Sequence, residues 1–163
     1  MRRILIHSMS CMACALAGCA EGGLIKVDAN DGPAIRMSGL GSRYTWAQMP
    51  DPALGNPEIQ AVIADLIDQE LARKGFEKSD VPSASFWIDF HVMKEEKTDS
   101  SVYPHGVIYP RGTLIIRLID PPTHRIIWAA SAQAEIMASA TAEERRDRVQ
   151  NAVRMMLARM PGK

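Results

Sequence analysis

The sequence predicts an α+β fold of two layers, an antiparallel sheet of three or more strands with two helices on one face. Two runs alternate with the period of a half-buried strand: Phe86, Ile88, Phe90, Val92 against Trp87, Asp89, His91, Met93, and Leu114, Ile116, Leu118 against Ile115, Arg117, Ile119. Two other segments carry apolar stripes at helical spacing, Ile59, Val62, Ile63, Leu66, Ile67, Leu71 and Val149, Ala152, Val153, Met156, Leu157, Met160. Both stripes need cover, and one sheet face supplies it for both. With 163 residues, 47% of them hydrophobic, the chain suffices for one compact domain and leaves little for a second.

The first residues read as an export signal. Met1-Arg2-Arg3 is a basic start, Ile4 to Ala15 a short and mostly apolar stretch, and Leu16-Ala17-Gly18-Cys19 follows at once. That tetrapeptide looks like the bacterial lipobox, in which small residues fit the signal peptidase and the cysteine thiolate takes a diacylglyceryl group. The expected organisation is a signal peptide over 1–18, a lipidated N-terminus and tether over 19–41, and a single α+β domain over 42–163. Ala20, where an Asp would retain a lipoprotein at the inner membrane of enteric bacteria, makes the outer membrane the expected site, with the domain facing the periplasm.

Cysteine usage follows from that reading. Cys11 and Cys14 form a C-x-x-C pair, which in a folded cytosolic protein would suggest redox or metal chemistry, but they lie inside the apolar signal region. Once 1–18 is removed, Cys19 is the only cysteine and lipidation consumes its thiol, so no disulfide or thiolate metal site is expected. No apolar run approaches the roughly 20 residues a spanning helix needs, so attachment to a membrane is expected through lipid. Lys and Arg number 19, as do Asp and Glu, which gives no reason to expect a nucleic-acid partner.

The elements follow in order. Residues 20–41 have a tether's composition, five glycines with Asp28, Asn30, Asp31 and Pro33, although Leu24-Ile25-Lys26-Val27 suits a short strand. Arg43-Tyr44-Thr45-Trp46 is an extended segment with aromatics at i and i+2, closed by Met49-Pro50-Asp51-Pro52. Asn56 and Pro57 open the first helix, Gly75 closes it, and Phe76 is placed to pack back on Leu71. Arg73 and Lys74 then complement the exposed carbonyls of its last turn.

The strand beginning at Phe86 is followed by Thr113 to Asp120, and Arg125 to Gln133 resumes after Asp120-Pro121-Pro122-Thr123 as the other arm of an antiparallel hairpin. Thr141-Ala142-Glu143-Glu144 has the form of a capping box, and the helix it starts runs to Pro161-Gly162. Its methionines read as gap-filling core.

Several short signatures together resemble the bacterial lipoprotein family known as domain of unknown function 4136, from about Leu24 to the C-terminus. They are Tyr44-Thr45-Trp46, Asn56-Pro57, Glu70-Leu71-Ala72-Arg73-Lys74-Gly75-Phe76, Gly112-Thr113-Leu114, and Asp120-Pro121 leading to Ile127-Trp128. The resemblance implies a small envelope lipoprotein and brings no catalytic residues. The Pro-Pro turn and the segment between Lys94 and Arg111 depart from the pattern.

The functional expectations concern surfaces. The sheet face opposite the helices should carry Trp87, Asp89, His91, Ile115 and Arg117, too apolar for an ordinary surface and too polar for core. Residues 94–111 read as a loop in which Tyr103, His105 and Tyr109 offer an adaptable contact surface. An enzymatic site from Asp89, His91, Glu95 and Glu96 lacks a nucleophile motif, a phosphate loop or a histidine pair for a metal, so no catalysis, cofactor or metal is expected. The expected function is that of a lipid-anchored envelope protein presenting a surface to an envelope protein partner. The alternative is a periplasmic binding module for a small or lipidic ligand, which needs an apolar pocket between sheet and helices.

Overall fold

A computed structural model describes residues 25–31, 41–47, 57–99 and 107–160. Its elements in chain order are strand β1 (Lys26–Asp31), β2 (Arg43–Trp46), helix α1 (Pro57–Arg73), the two-residue β3 (Glu77–Lys78), a 3-10 turn at Val81–Ser83, β4 (Phe86–Asp99), β5 (Val107–Ile119), β6 (Ile126–Glu135) and helix α2 (Ala142–Ala158). The strands form one sheet in the order β1-β6-β5-β4-β2-β3.

The expected α+β architecture is present, but the sheet is mixed rather than antiparallel. From β1 to β4 every pairing is antiparallel, whereas β2 runs parallel to both β4 and β3. The cause is the connection. The β4–β5 and β5–β6 links are hairpins and reverse the chain, while β2 is followed by α1, and a crossover helix returns the chain in its original direction. The short strand expected near Leu24 is six residues long and pairs with β6 from Lys26↔Gln133 to Asp31↔Trp128, so the sheet reaches back into the segment read as tether.

The described parts of the segment 94–111, residues 94–99 and 107–111, are strand rather than the loop the sequence suggested. Lys94 to Asp99 continues β4 and Val107 to Arg111 begins β5, paired residue by residue from Lys94↔Gly112 to Asp99↔Val107. The charges that resembled a loop are compatible with a ribbon, since Glu95 faces Arg111 across the pair and Lys97 lies 3.5 Å from Glu95. At about 3.3 Å per residue the 14-residue β4 spans roughly 45 Å. Beyond Pro110 the ribbon runs past the end of β6.

Packing follows the alternation. Phe86, Ile88 and Phe90 of β4, Leu114, Ile116 and Leu118 of β5, and Trp128, Ala130 and Ala132 of β6 are buried on one face. Over them lie Ile63, Leu66, Ile67 and Leu71 of α1 with Ala152, Val153, Met156 and Leu157 of α2. Each buried Val, Leu, Ile, Phe or Met among them stabilises the fold by about 1.5–3 kcal/mol. Glu70, buried beside this contact, accepts from Arg73 of its own helix and from Arg154 of α2.

The helix ends behave as their residues dictate. Gly75 has φ 83°, and Phe76 N–H donates to the Leu71 carbonyl at 3.0 Å while its ring meets Phe86 edge-on. At α2 the Thr141 hydroxyl accepts from the Glu144 N–H, and the Glu144 carboxylate accepts from the Thr141 N–H. Those bonds hold the Glu144 carboxyl below the usual glutamate range. No described helix is long and apolar enough to cross a membrane.

Candidate functional site

The aromatics of β2 are structural. The Tyr44 ring stacks on Phe86, and its hydroxyl donates to the Asp68 carboxylate of α1 at 2.7 Å. The Trp46 indole N–H donates to the same oxygen at 3.2 Å, and Lys78 of β3 reaches the other oxygen at 2.8 Å. Burial first, then the bond to Asp68, pushes the Tyr44 phenol well above its ordinary range. This carboxylate hub ties β2 and β3 to α1. Asp68 carried no sequence signal beyond its place on the helix beside the apolar stripe.

The face of the sheet away from the helices is the first candidate surface. Register places Trp87 beside Ile119, Asp89 beside Arg117, His91 beside Ile115, and Met93 beside Thr113. All five residues expected on that face, Trp87, Asp89, His91, Ile115 and Arg117, therefore share it. Arg117 grips Asp89 through two bonds of 2.8 and 2.6 Å, and His91 Nε2 contacts the same guanidinium. The bond to Asp89 raises the Arg117 pKa above the ordinary arginine value.

The same face continues onto the ribbon, where Arg111 donates to the Tyr109 hydroxyl at 2.9 Å and to Gln133 at 3.1 Å. Tyr109 thus joins the expected surface as a strand residue. Met93 stood on this side of the predicted alternation without being counted among the candidates, and Arg111 and Gln133 were missed, although counting by twos from Arg117 reaches Arg111. Tyr103 and His105 lie outside the described residues, as do Leu16, Ala17, Gly18 and Cys19. At the other end the His124 ring lies 5.1 Å from Trp87, on a turn residue with φ 54°. The buried Trp87 indole N–H has no hydrogen-bond partner among the described residues.

A second region lies on the helix side, at the base of the ribbon. It is a cleft of about 510 Å³ between the sheet and the first halves of both helices. Its floor is Val92, Gly112, Leu114, Ala132 and Ala134; its walls are Ile59 and Val62 of α1, Val149 of α2, and Ile136 beyond β6. The hollow has a sequence cause. Where the closed part of the layer has Phe90, Ile116 and Trp128 to fill it, the ladders near the cleft end in Ala132 and in Gly112 beside Ala134. A β-carbon on Gly112 would meet Ile136 at 3.4 Å, so the glycine leaves room rather than relieving a clash.

Ile59 is 46% exposed, Val92 40% and Ile136 36%, so the cleft leaves much of its apolar lining in water. Arg145, Arg146 and Arg148 of α2 line it, together with Glu58 and Glu135. Arg148 is committed to structure, donating to the Glu135 carbonyl and the Met137 sulfur. Arg145 and Arg146 are exposed.

Comparison with known proteins agrees with this architecture. The chain is similar to that of the PelC dodecamer from Paraburkholderia phytofirmans, with 14% identity and a TM-score of 0.55 over 86% of this chain and 99% of that one. It is also similar to a PDZ domain protein from Parabacteroides distasonis, with 14% identity and a TM-score of 0.60 over 87% of this chain and 37% of that one. These likenesses are of fold. No curated protein matches the sequence. The family model described as Domain of unknown function (DUF4136) matches residues 37–162, and the chain belongs to that family.

Proposed function

We propose that the chain is a non-catalytic envelope lipoprotein, anchored through Cys19 to the outer membrane, whose domain presents the open sheet face to a protein partner in the periplasm. The observation that carries the contact surface is the composition of that face. Half-buried Trp87, Ile115 and Ile119 and the half-exposed Met93 surround an Asp89–Arg117 pair that is already satisfied internally. Such a face offers apolar area to a partner without requiring it to neutralise a buried charge. The PelC chain of similar fold occurs in a dodecamer, so a second copy of this chain is the first partner to test.

The anchor rests on the order basic start, apolar stretch, Leu16-Ala17-Gly18-Cys19, and the absence of a spanning helix among the described residues is compatible with it. Intact mass of membrane-fraction protein, wild type against Cys19→Ser, tests it. The expected mass lacks residues 1–18 and carries acyl chains in the wild type only. An unprocessed, acyl-free wild type would refute the anchor and return Cys11 and Cys14 to consideration.

The ligand-binding alternative has a specific observation in its favour, the apolar cleft between sheet and helices.

A further inference from the structure

The cleft differs from an ordinary packing defect in three respects. Its volume of about 510 Å³ lies inside the range of roughly 300–1,000 Å³ that ligand sites occupy. Its lining is apolar and wet, with Ile59, Val92 and Ile136 all more than a third exposed. Finally, Arg145 and Arg146 stand exposed at the start of α2 beside it, where a bound anion would gain two cations.

Position adds a source. Ile25, the first residue described before β1, also lines the cleft. Cys19 is six residues earlier in sequence, and six residues of extended chain reach at most about 20 Å. A lipid on Cys19 therefore holds the cleft within about one leaflet's depth of the membrane surface.

We propose that this cleft binds an acyl chain of an acidic phospholipid from the membrane in which the protein is anchored, with the headgroup phosphate at Arg145 and Arg146. Each methylene that leaves water for the Val92–Ala134–Val149 lining adds to binding, and the two guanidiniums select an anionic head over a neutral one. The lining residues are supplied by the fold as it stands, so no element has to move for a chain to enter. The site goes beyond the protein-contact reading, and it uses the anchor only to bring the membrane near.

The test uses the full-length, lipidated protein reconstituted in phosphatidylcholine vesicles. They are doped either with a phosphatidylglycerol or with a phosphatidylcholine whose acyl chain ends in a diazirine. After irradiation, peptide mass spectrometry locates the adducts. Adducts are expected on the peptides holding Ile59, Val92, Ile136 and Val149, and the phosphatidylglycerol probe is expected to label them about tenfold more, the factor that loss of a charge-assisted bond implies. Arg145→Gln with Arg146→Gln should remove that preference while leaving chain labelling. Ile59→Asp and Val92→Asp, at half-exposed positions and with the thermal transition measured alongside to select folded protein, should remove labelling from the cleft.

Adducts scattered evenly over the surface, equal labelling by the two probes, or labelling indifferent to the aspartates would each overturn the proposal. Cleft labelling confined to the Cys19→Ser protein would overturn it in favour of the protein's own acyl chain as occupant. The intact mass of the wild type reports separately whether the anchor exists, so failure of the site and failure of the anchor are distinguishable.

Discussion

On the open face of the sheet the two arginines are answered: Arg117 is held by Asp89, and Arg111 by Tyr109 and Gln133. In the cleft on the helix face exposed Ile59, Val92 and Ile136 stand beside exposed Arg145 and Arg146, of which Arg145 donates through Nε to the Thr141 carbonyl at 3.2 Å. The same strands β4, β5 and β6 build both. The difference teaches that ladder composition, rather than fold, decides what each surface can accept. A face with satisfied charges and flat apolar area suits another protein, whereas a concave apolar floor with exposed cations at its rim suits a chain with an acidic head.

The comparison can be strained first where the helix layer is closed. Leu157→Ala, in the fully buried part of the α1–α2 contact, is expected to cost about 2–5 kcal/mol, while Val149→Ala in the cleft wall costs under about 1 kcal/mol. Urea unfolding of the two variants checks this, and equal losses would mean that the cleft is packed as tightly as the core.

Next comes the open face. Arg117→Met strands the largely buried Asp89 carboxylate and should cost about 1–3 kcal/mol. Asp89→Asn combined with Arg117→Met should cost less than the two single changes summed. A double-mutant cycle showing additivity would contradict the claim that this pair satisfies itself.

A smaller effect concerns the α2 start, which carries the cleft arginines. Thr141→Ala removes the cap and should cost about 1 kcal/mol at neutral pH. Because the folded Glu144 carboxyl titrates below its unfolded value, its share of the cap is present above the ordinary glutamate range and is lost as pH falls through the lower folded value. The difference in melting temperature between wild type and Thr141→Ala should therefore shrink on acidification. The smallest effect has the opposite sign: Gly112→Ala should stabilise the fold by about 0.5–1 kcal/mol while narrowing the cleft floor.

Much of this was legible in the chain. Period-2 alternation in Phe86 to Met93 and Thr113 to Asp120 located two long strands and placed Trp87, Asp89, His91, Ile115 and Arg117 together, because a strand's parity is a property of sequence. The Thr141–Glu144 box and Gly75 fixed two helix ends through local chemistry alone. The parallel β2 was not legible, since its direction relative to β3 and β4 depends on how the α1 crossover returns the chain to the sheet and not on Arg43-Tyr44-Thr45-Trp46 itself. The ribbon was misread because Lys94-Glu95-Glu96-Lys97 has a loop's composition and earns its place only through partners such as Arg111. The cleft left only a faint trace in Gly112, Ala132 and Ala134, because small residues signal space only when the facing elements are known.

The most direct measurement places a photoreactive phenylalanine analogue at Ile115 or at Ile59 in the living bacterium and identifies what each captures. Ile115 on the open face is expected to capture protein and Ile59 in the cleft phospholipid. Protein at both positions, or lipid at Ile115 and protein at Ile59, would contradict the division of labour between the two surfaces.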